Sequence, residues 1–138
     1  MASERLMESI NKTNTAVQNA PKTQNTIFDL IQKQKPAFAM ALGKAMDPER
    51  FTRIALTIVR NNPKLMACSE MSLLGALMAS AQLGLEPNIL GQSYIIPYGN
   101  QAQFQIGYKG LIKLFYNSEN ALSITAQEVY ENDTFEYE

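Results

Sequence analysis

Between Gly84 and Leu114 the chain reads GLEPNILGQSYIIPYGNQAQFQIGYKGLIKL, and this stretch gathers the residue types that hold a polyanion. Gln103 and Gln105 alternate with Phe104 and Ile106, so a strand here has one amide face and one apolar face. Amides bridge phosphates, sugars and base edges. Tyr108 and Lys109 stand between Gly107 and Gly110, where the strand hands over to a helix. A lysine and the free N–H groups of a helix start can face one phosphate together, and a phenol can stack on a base. Lys113 follows one turn later on the same helix face. The plain alternatives are a solvated lysine at a helix start and the polar outer side of a hairpin. Tyr94 and Tyr98 share a face of the preceding strand and suit either base stacking or packing.

What is missing narrows the chemistry. The chain has no histidine and one cysteine, Cys68. Ser-His and Cys-His nucleophilic catalysis are therefore excluded within it, and a zinc site has no ligand set. No GxxxxGK[ST] loop exists, which disfavours nucleotide hydrolysis. Gly107 and Gly110 fit a close approach of backbone to phosphate or of helix to sheet. No cofactor and no catalytic residue is expected: these residues suit holding a ligand rather than transforming it.

A second basic group lies earlier, at Arg50, Arg53, Arg60 and Lys64. Arg53, Arg60 and Lys64 are spaced to form a stripe beside a nucleic-acid groove, although a solvated helix face has the same spacing. Met40, Met46, Met66, Met71 and Met78 read as core or interface filler, and Cys68 as a small buried apolar residue. The late acids Glu119, Glu128, Glu131, Asp133, Glu136 and Glu138 read as a solvated strand edge rather than a magnesium site.

The elements that must position these residues are legible in outline. Residues 1–25 are rich in Ser, Thr, Asn, Gln and Lys and read as a flexible arm; residues 26–138 form the domain. Helical periodicity begins at Ile27 and breaks at Lys35-Pro36. It resumes over Phe38–Leu42 and stops at Gly43. Asp47-Pro48-Glu49 starts a strong helix with the buried stripe Phe51, Ile54, Ala55, Ile58 and Val59, which Asn61-Asn62-Pro63 ends. Ser69 caps a third helix to about Leu83, apolar on most sides and hence central to the core or to a subunit interface. Gly84 stops it. Gly99-Asn100 turns a hairpin, and Tyr108 to about Asn117 is an amphipathic helix. Strands are expected within Ala121–Tyr130 and Thr134–Tyr137. The fold class is α+β: N-terminal helices, a β-hairpin, a helix and further antiparallel strands.

At 138 residues the chain suits one domain with a modest core. No apolar run approaches the ~18 residues of a membrane span, and the polar start has no signal-peptide pattern. With one cysteine, a cytoplasmic location is the expectation. The net charge of −1 hides an asymmetry: residues 1–64 carry +5 and residues 65–138 carry −6. A polyanion would therefore be met by the first half and by the Lys109/Lys113 helix.

Three linked blocks carry a resemblance: Leu83-Gly84-Leu85-Glu86-Pro87, Gly91-Gln92-Ser93-Tyr94-Ile95-Ile96-Pro97-Tyr98-Gly99, and Gln103-Phe104-Gln105-Ile106-Gly107-Tyr108-Lys109-Gly110-Leu111-Ile112. Val129-Tyr130-Glu131, Asp133 and Phe135 echo it later. In this order the blocks resemble the RecT family of phage and prophage single-strand annealing proteins, over roughly residues 27–138. The chain departs from the pattern at Asn117-Ser118-Glu119 and at Lys113, where relatives carry Arg-Ser-Gly and an acid. The resemblance implies ATP-independent binding of single-stranded DNA and pairing of complementary strands through an annealed duplex intermediate, without bond cleavage. It strengthens the DNA contact expected at Lys109; Tyr108, Gln103, Gln105, Lys113, Arg53, Arg60 and Lys64 are the further DNA contacts expected from their own types and positions. It also implies a homo-oligomer, ring or helical filament, with a phage exonuclease and a host single-strand-binding protein as partners. Relatives run to roughly twice this length, so the chain corresponds to an N-terminal half. The competing expectation is an oligomerising module that does not bind DNA by itself, its basic start meeting the acidic end of the next copy.

Overall fold

The computed structural model describes residues 26–134 and residue 136. The arm assigned to residues 1–25 lies outside them, as do Phe135 and Tyr137 of the strand expected at Thr134–Tyr137.

The first helices follow local signals. Thr26 and Asp29 form a reciprocal capping box that opens α1, Ile27–Lys33. Gln34 ends α1 and starts α2, Lys35–Leu42, with Pro36 in its first turn. Gly43 closes α2 at φ 53°. The Asp47 carboxylate accepts from the Arg50 N–H at 2.8 Å and starts α3, Pro48–Asn61. Phe51, Ile54, Ala55, Ile58 and Val59 form its buried stripe, as the spacing predicts. Asn62 caps a one-turn helix, α4, Pro63–Met66, where the sequence suggests only a stop. Ser69 caps α5, Glu70–Gln82, and Gly84 follows at φ 63°.

Strands β1, Ser93–Tyr98, and β2, Gln101–Ile106, form an antiparallel hairpin around Gly99-Asn100. Of the two turn residues only Gly99 has positive φ, as in a II′ turn. Helix α6, Tyr108–Tyr116, follows after one residue. The inner hairpin face packs on α5, α2 packs behind α5, and α3 packs on α2 and α1. Phe38 and Phe51, both fully buried, meet edge to face at 5.2 Å between α2 and α3. Leu73, Leu77 and Ala81 of α5 and Ile95 of β1 complete the core. Two bonds clamp the turn to the start of α5: Ser69 N–H to Asn100 O at 2.7 Å, and Ala102 N–H to Ser72 Oγ at 2.9 Å.

The α+β architecture of helices, hairpin and helix is as expected, with one correction. Residues 121–130 form no strand. Their alternation suits a ladder, but no partner pairs with them among the described residues, and Leu122 is 94% exposed. Instead, Tyr130 and Asp133 close a turn. Helix α5 is wedged between hairpin and α2, so of the two places its apolar surface suits, its main face takes the core. Met46 and Met78 pack on the core, as core filler does, whereas Met40, Met66 and Met71 are exposed, because they fall off the buried stripes of their helices.

Candidate nucleic-acid interface

The period of two places Tyr94, Ile96 and Tyr98 of β1 on the hairpin's outer face. The register sets Gln105, Gln103 and Gln101 of β2 directly opposite them. Both tyrosines and all three glutamines are exposed. The result is a solvent-facing sheet surface with an aromatic row on one strand and an amide row on the other. Gln101 completes the amide row one pleat before Gln103; the alternation and the Gly99-Asn100 turn together are the signal that finds it.

At its far end this surface runs into the start of α6. Gly107, the N-cap residue, has extended backbone and no capping side chain, so first-turn N–H groups keep their donor capacity. Tyr108 and Lys109 are exposed there, with the Lys109 ammonium 5.9 Å from the centre of the Tyr108 ring. Gly91 joins the two parts. A side chain on Gly91 would meet the Tyr94 hydroxyl at 3.3 Å and the Lys109 stem at 3.5 Å. Tyr94 is thus both the cross-strand partner of Gln105 and a neighbour of Lys109.

Gly107 and Gly110 explain how α6 comes so close. Both are buried, and a Cβ on either would collide with backbone carbonyls, that of Gly91 for Gly107 and that of Gln92 for Gly110. The Gly107 N–H also donates to Gln92 O at 2.9 Å. Of the two approaches the sequence allows, the glycines make that of helix to protein backbone.

Lys113 is turned inward. Its ammonium donates to Gly84 O at 2.7 Å and lies 3.4 Å from Gln92 Oε1, tying α6 to the end of α5. Gln92 therefore joins the site as a structural residue, since its Oε1 also accepts from the Glu86 N–H at 3.1 Å. No short-range pattern points to that role.

The earlier cations form a separate group. Arg60 lies over the Phe28 ring at 5.9 Å, and Arg53 lines a shallow cleft with Gln32, Lys35, Glu49, Thr52 and Leu56, so both face α1. Lys64 is exposed on α4, which touches β1. Arg50 pairs with Glu86 at 2.6 Å. Among the described residues no three acidic, histidine or cysteine side chains gather as a metal site, and no helix is long and apolar enough to cross a membrane. Cys68 is buried, its thiol donating to Lys64 O at 3.3 Å.

The blocks that build this junction are also those that relate the chain to known proteins. The model of the RecT family matches residues 49–138, which takes in α3 from its second residue, α4 to α6 and every residue of the hairpin surface. This chain belongs to the RecT family. It is 40% identical over 129 residues to Protein RecT of Escherichia coli (strain K12), covering 86% of this chain and 48% of that protein. It is 34% identical over 97 residues to the uncharacterized protein YqaK of Bacillus subtilis (strain 168), covering 70% of this chain and 34% of that protein. The chain thus spans less than half the length of either relative. No solved structure matches it.

Proposed function

We propose that this chain carries part of the surface on which a RecT-family protein holds single-stranded DNA and anneals it to a complementary strand, without ATP and without breaking a bond. One observation carries this reading: the exposed Tyr94/Gln105 end of the hairpin adjoins Lys109 and the uncapped start of α6. Phosphate would sit on the Lys109 ammonium and the first-turn N–H groups. Gln103 and Gln105 would bridge sugar and phosphate oxygens, and Tyr94, Tyr98 and Tyr108 would offer faces to bases. A surface that grips backbone and ring faces leaves Watson–Crick edges available for pairing.

In this reading Lys113 adds charge from behind while holding α6 in place. Arg53, Arg60 and Lys64 supply a second, electrostatic track on α3 and α4. Pairing over many nucleotides needs many such surfaces side by side, which a homo-oligomer, ring or filament, provides. An exonuclease that exposes single strands and a host single-strand-binding protein fit as partners in the cytoplasm.

Fluorescence anisotropy of a labelled oligonucleotide across a salt series tests the assignment. Affinity should fall steeply with salt. Lys109→Ala should weaken binding to all sequences alike and lower the salt slope by about one. Adding the complementary strand without ATP should yield duplex. Salt-insensitive binding, or a Lys109→Ala variant that binds like the parent, would remove this surface from the DNA path. A second reading, an oligomerising module that does not bind DNA alone, draws on α6, whose Leu111, Ile112 and Tyr116 are exposed. It predicts self-association with no oligonucleotide binding even at low salt.

A further inference from the structure

We propose that Glu86 and Arg50 are positioning residues for the Lys109 surface, holding from behind the loop on which α6 is seated. The inference rests on the DNA-binding reading for its affinity readout, but not for its structural one.

Glu86 is an unusual residue to bury. It is 6% exposed between the fully buried Leu85 and Pro87. One carboxylate oxygen meets the Arg50 guanidinium at 2.6 Å, and the other has no hydrogen-bond partner among the described residues. A buried carboxylate with an unpaired oxygen costs free energy that an apolar residue would not. Packing alone therefore gives no reason for a carboxylate here.

Its connections supply one. Arg50 comes from α3, so the ion pair fastens the 84–92 loop to the helical body. The Glu86 N–H donates to Gln92 Oε1, which also lies 3.4 Å from the Lys113 ammonium of α6. The Glu86 carbonyl accepts from the Ser93 hydroxyl at 3.2 Å, fixing the start of β1. The carbonyls of Gly91 and Gln92 then form the bed for Gly107 and Gly110. A continuous path of contacts runs from Arg50 through Glu86 and Gln92 to α6, and Lys109 stands at the start of that helix. Neither Arg50 nor Glu86 is hydrogen-bonded or ion-paired to Lys109. Their effect would come from keeping the loop, and therefore the helix start, in register with the hairpin face.

Glu86→Gln separates this from simple charge. It removes a negative charge from a DNA-binding chain, so electrostatics alone predicts equal or tighter binding. Positioning predicts weaker oligonucleotide binding, by about tenfold, with the salt slope unchanged because no phosphate contact is lost. Arg50→Ala should behave alike, and Arg50→Lys should recover part of the loss, since a lysine can still pair but not with a planar fork. An Arg50→Ala variant whose salt slope drops by about one would make Arg50 a direct phosphate contact and overturn the proposal.

Amide hydrogen exchange provides the readout that does not need DNA. In Glu86→Gln the amides of residues 111–116 should exchange about tenfold faster while those of α5 keep their protection. Unchanged α6 protection, or an equal loss throughout the chain, would overturn the proposal even if the parent chain bound no oligonucleotide. Faster α6 exchange in Glu86→Gln, together with a parent chain that binds no DNA, would keep the strut and defeat only the DNA-binding reading.

Discussion

Residues 27–83 and residues 84–116 are held together by different means. In the helical body four of the five helix starts are fixed by a neighbour in sequence: Thr26, Asp47, Asn62 and Ser69 cap their own first turns, and the buried stripes of α3 and α5 lock the helices together. In the hairpin and α6, the decisive contacts come from far along the chain. Ser72 holds Ala102, Arg50 holds Glu86, and Lys113 reaches Gly84, 29 residues away. The body is therefore secured by buried area, and the candidate DNA surface by steric fit and a few polar links. Among the described residues that arrangement keeps the first turn of α6 and the outer hairpin face free of side-chain caps and covering layers, which a binding surface needs.

Substitutions can break this contrast. The largest effect belongs to the body: Phe51→Ala, removing a fully buried ring packed on Phe38, should cost about 4 kcal/mol in urea unfolding. Next comes Gly110→Ala, where the added methyl meets the Gln92 carbonyl. A cost of about 2–3 kcal/mol is expected from a clash with backbone, with α6 circular-dichroism signal lost before the rest unfolds. A cost as small as an ordinary surface change would show that α6 is not seated on that carbonyl. Gly75→Ala is the control from the other region. It is a mid-helix glycine of α5 with open space around its Cβ position, so the same substitution should stabilise by roughly 0.5–1 kcal/mol, seen as a higher urea midpoint.

The smallest effect lies in the segment after α6. The Tyr130 hydroxyl donates to a Glu128 carboxylate oxygen at 2.7 Å, which holds its pKa above the ordinary phenol value. Alkaline absorbance titration should show one late-ionising tyrosine that returns toward the ordinary value in Glu128→Gln. A titration unchanged by that substitution would mean that the pair does not form in solution.

Patterns of near neighbours carry most of what is legible without coordinates. The caps at Asp47 and Ser69, the α3 stripe, the stop at Gly84 and the two-residue turn all depend on residues within one helical turn or one pleat. Alternation likewise puts Gln103 and Gln105 on one outward face, because side chains on a strand change sides at every residue. The alternation of Leu122, Ile124 and Ala126 misleads for the same reason: a strand needs an edge to pair with, and periodicity says nothing about that edge. Lys109 and Lys113 show the limit most clearly. Helical spacing makes them equivalent, one turn apart on one face.

Tertiary structure distinguishes them. The carbonyl of Gly84 captures Lys113 and leaves Lys109 beside Tyr94 and Tyr108. The partnership of Arg50 with Glu86 was decided at the same level, since a surface arginine and a buried glutamate in separate elements share no local pattern. Sequence alone determined most elements between Ile27 and Tyr116, the family and the faces, because these rest on short-range sterics and periodicity. The choice of which cation faces solvent and which is used inside the fold came only with tertiary structure, because it depends on where a distant backbone carbonyl comes to rest.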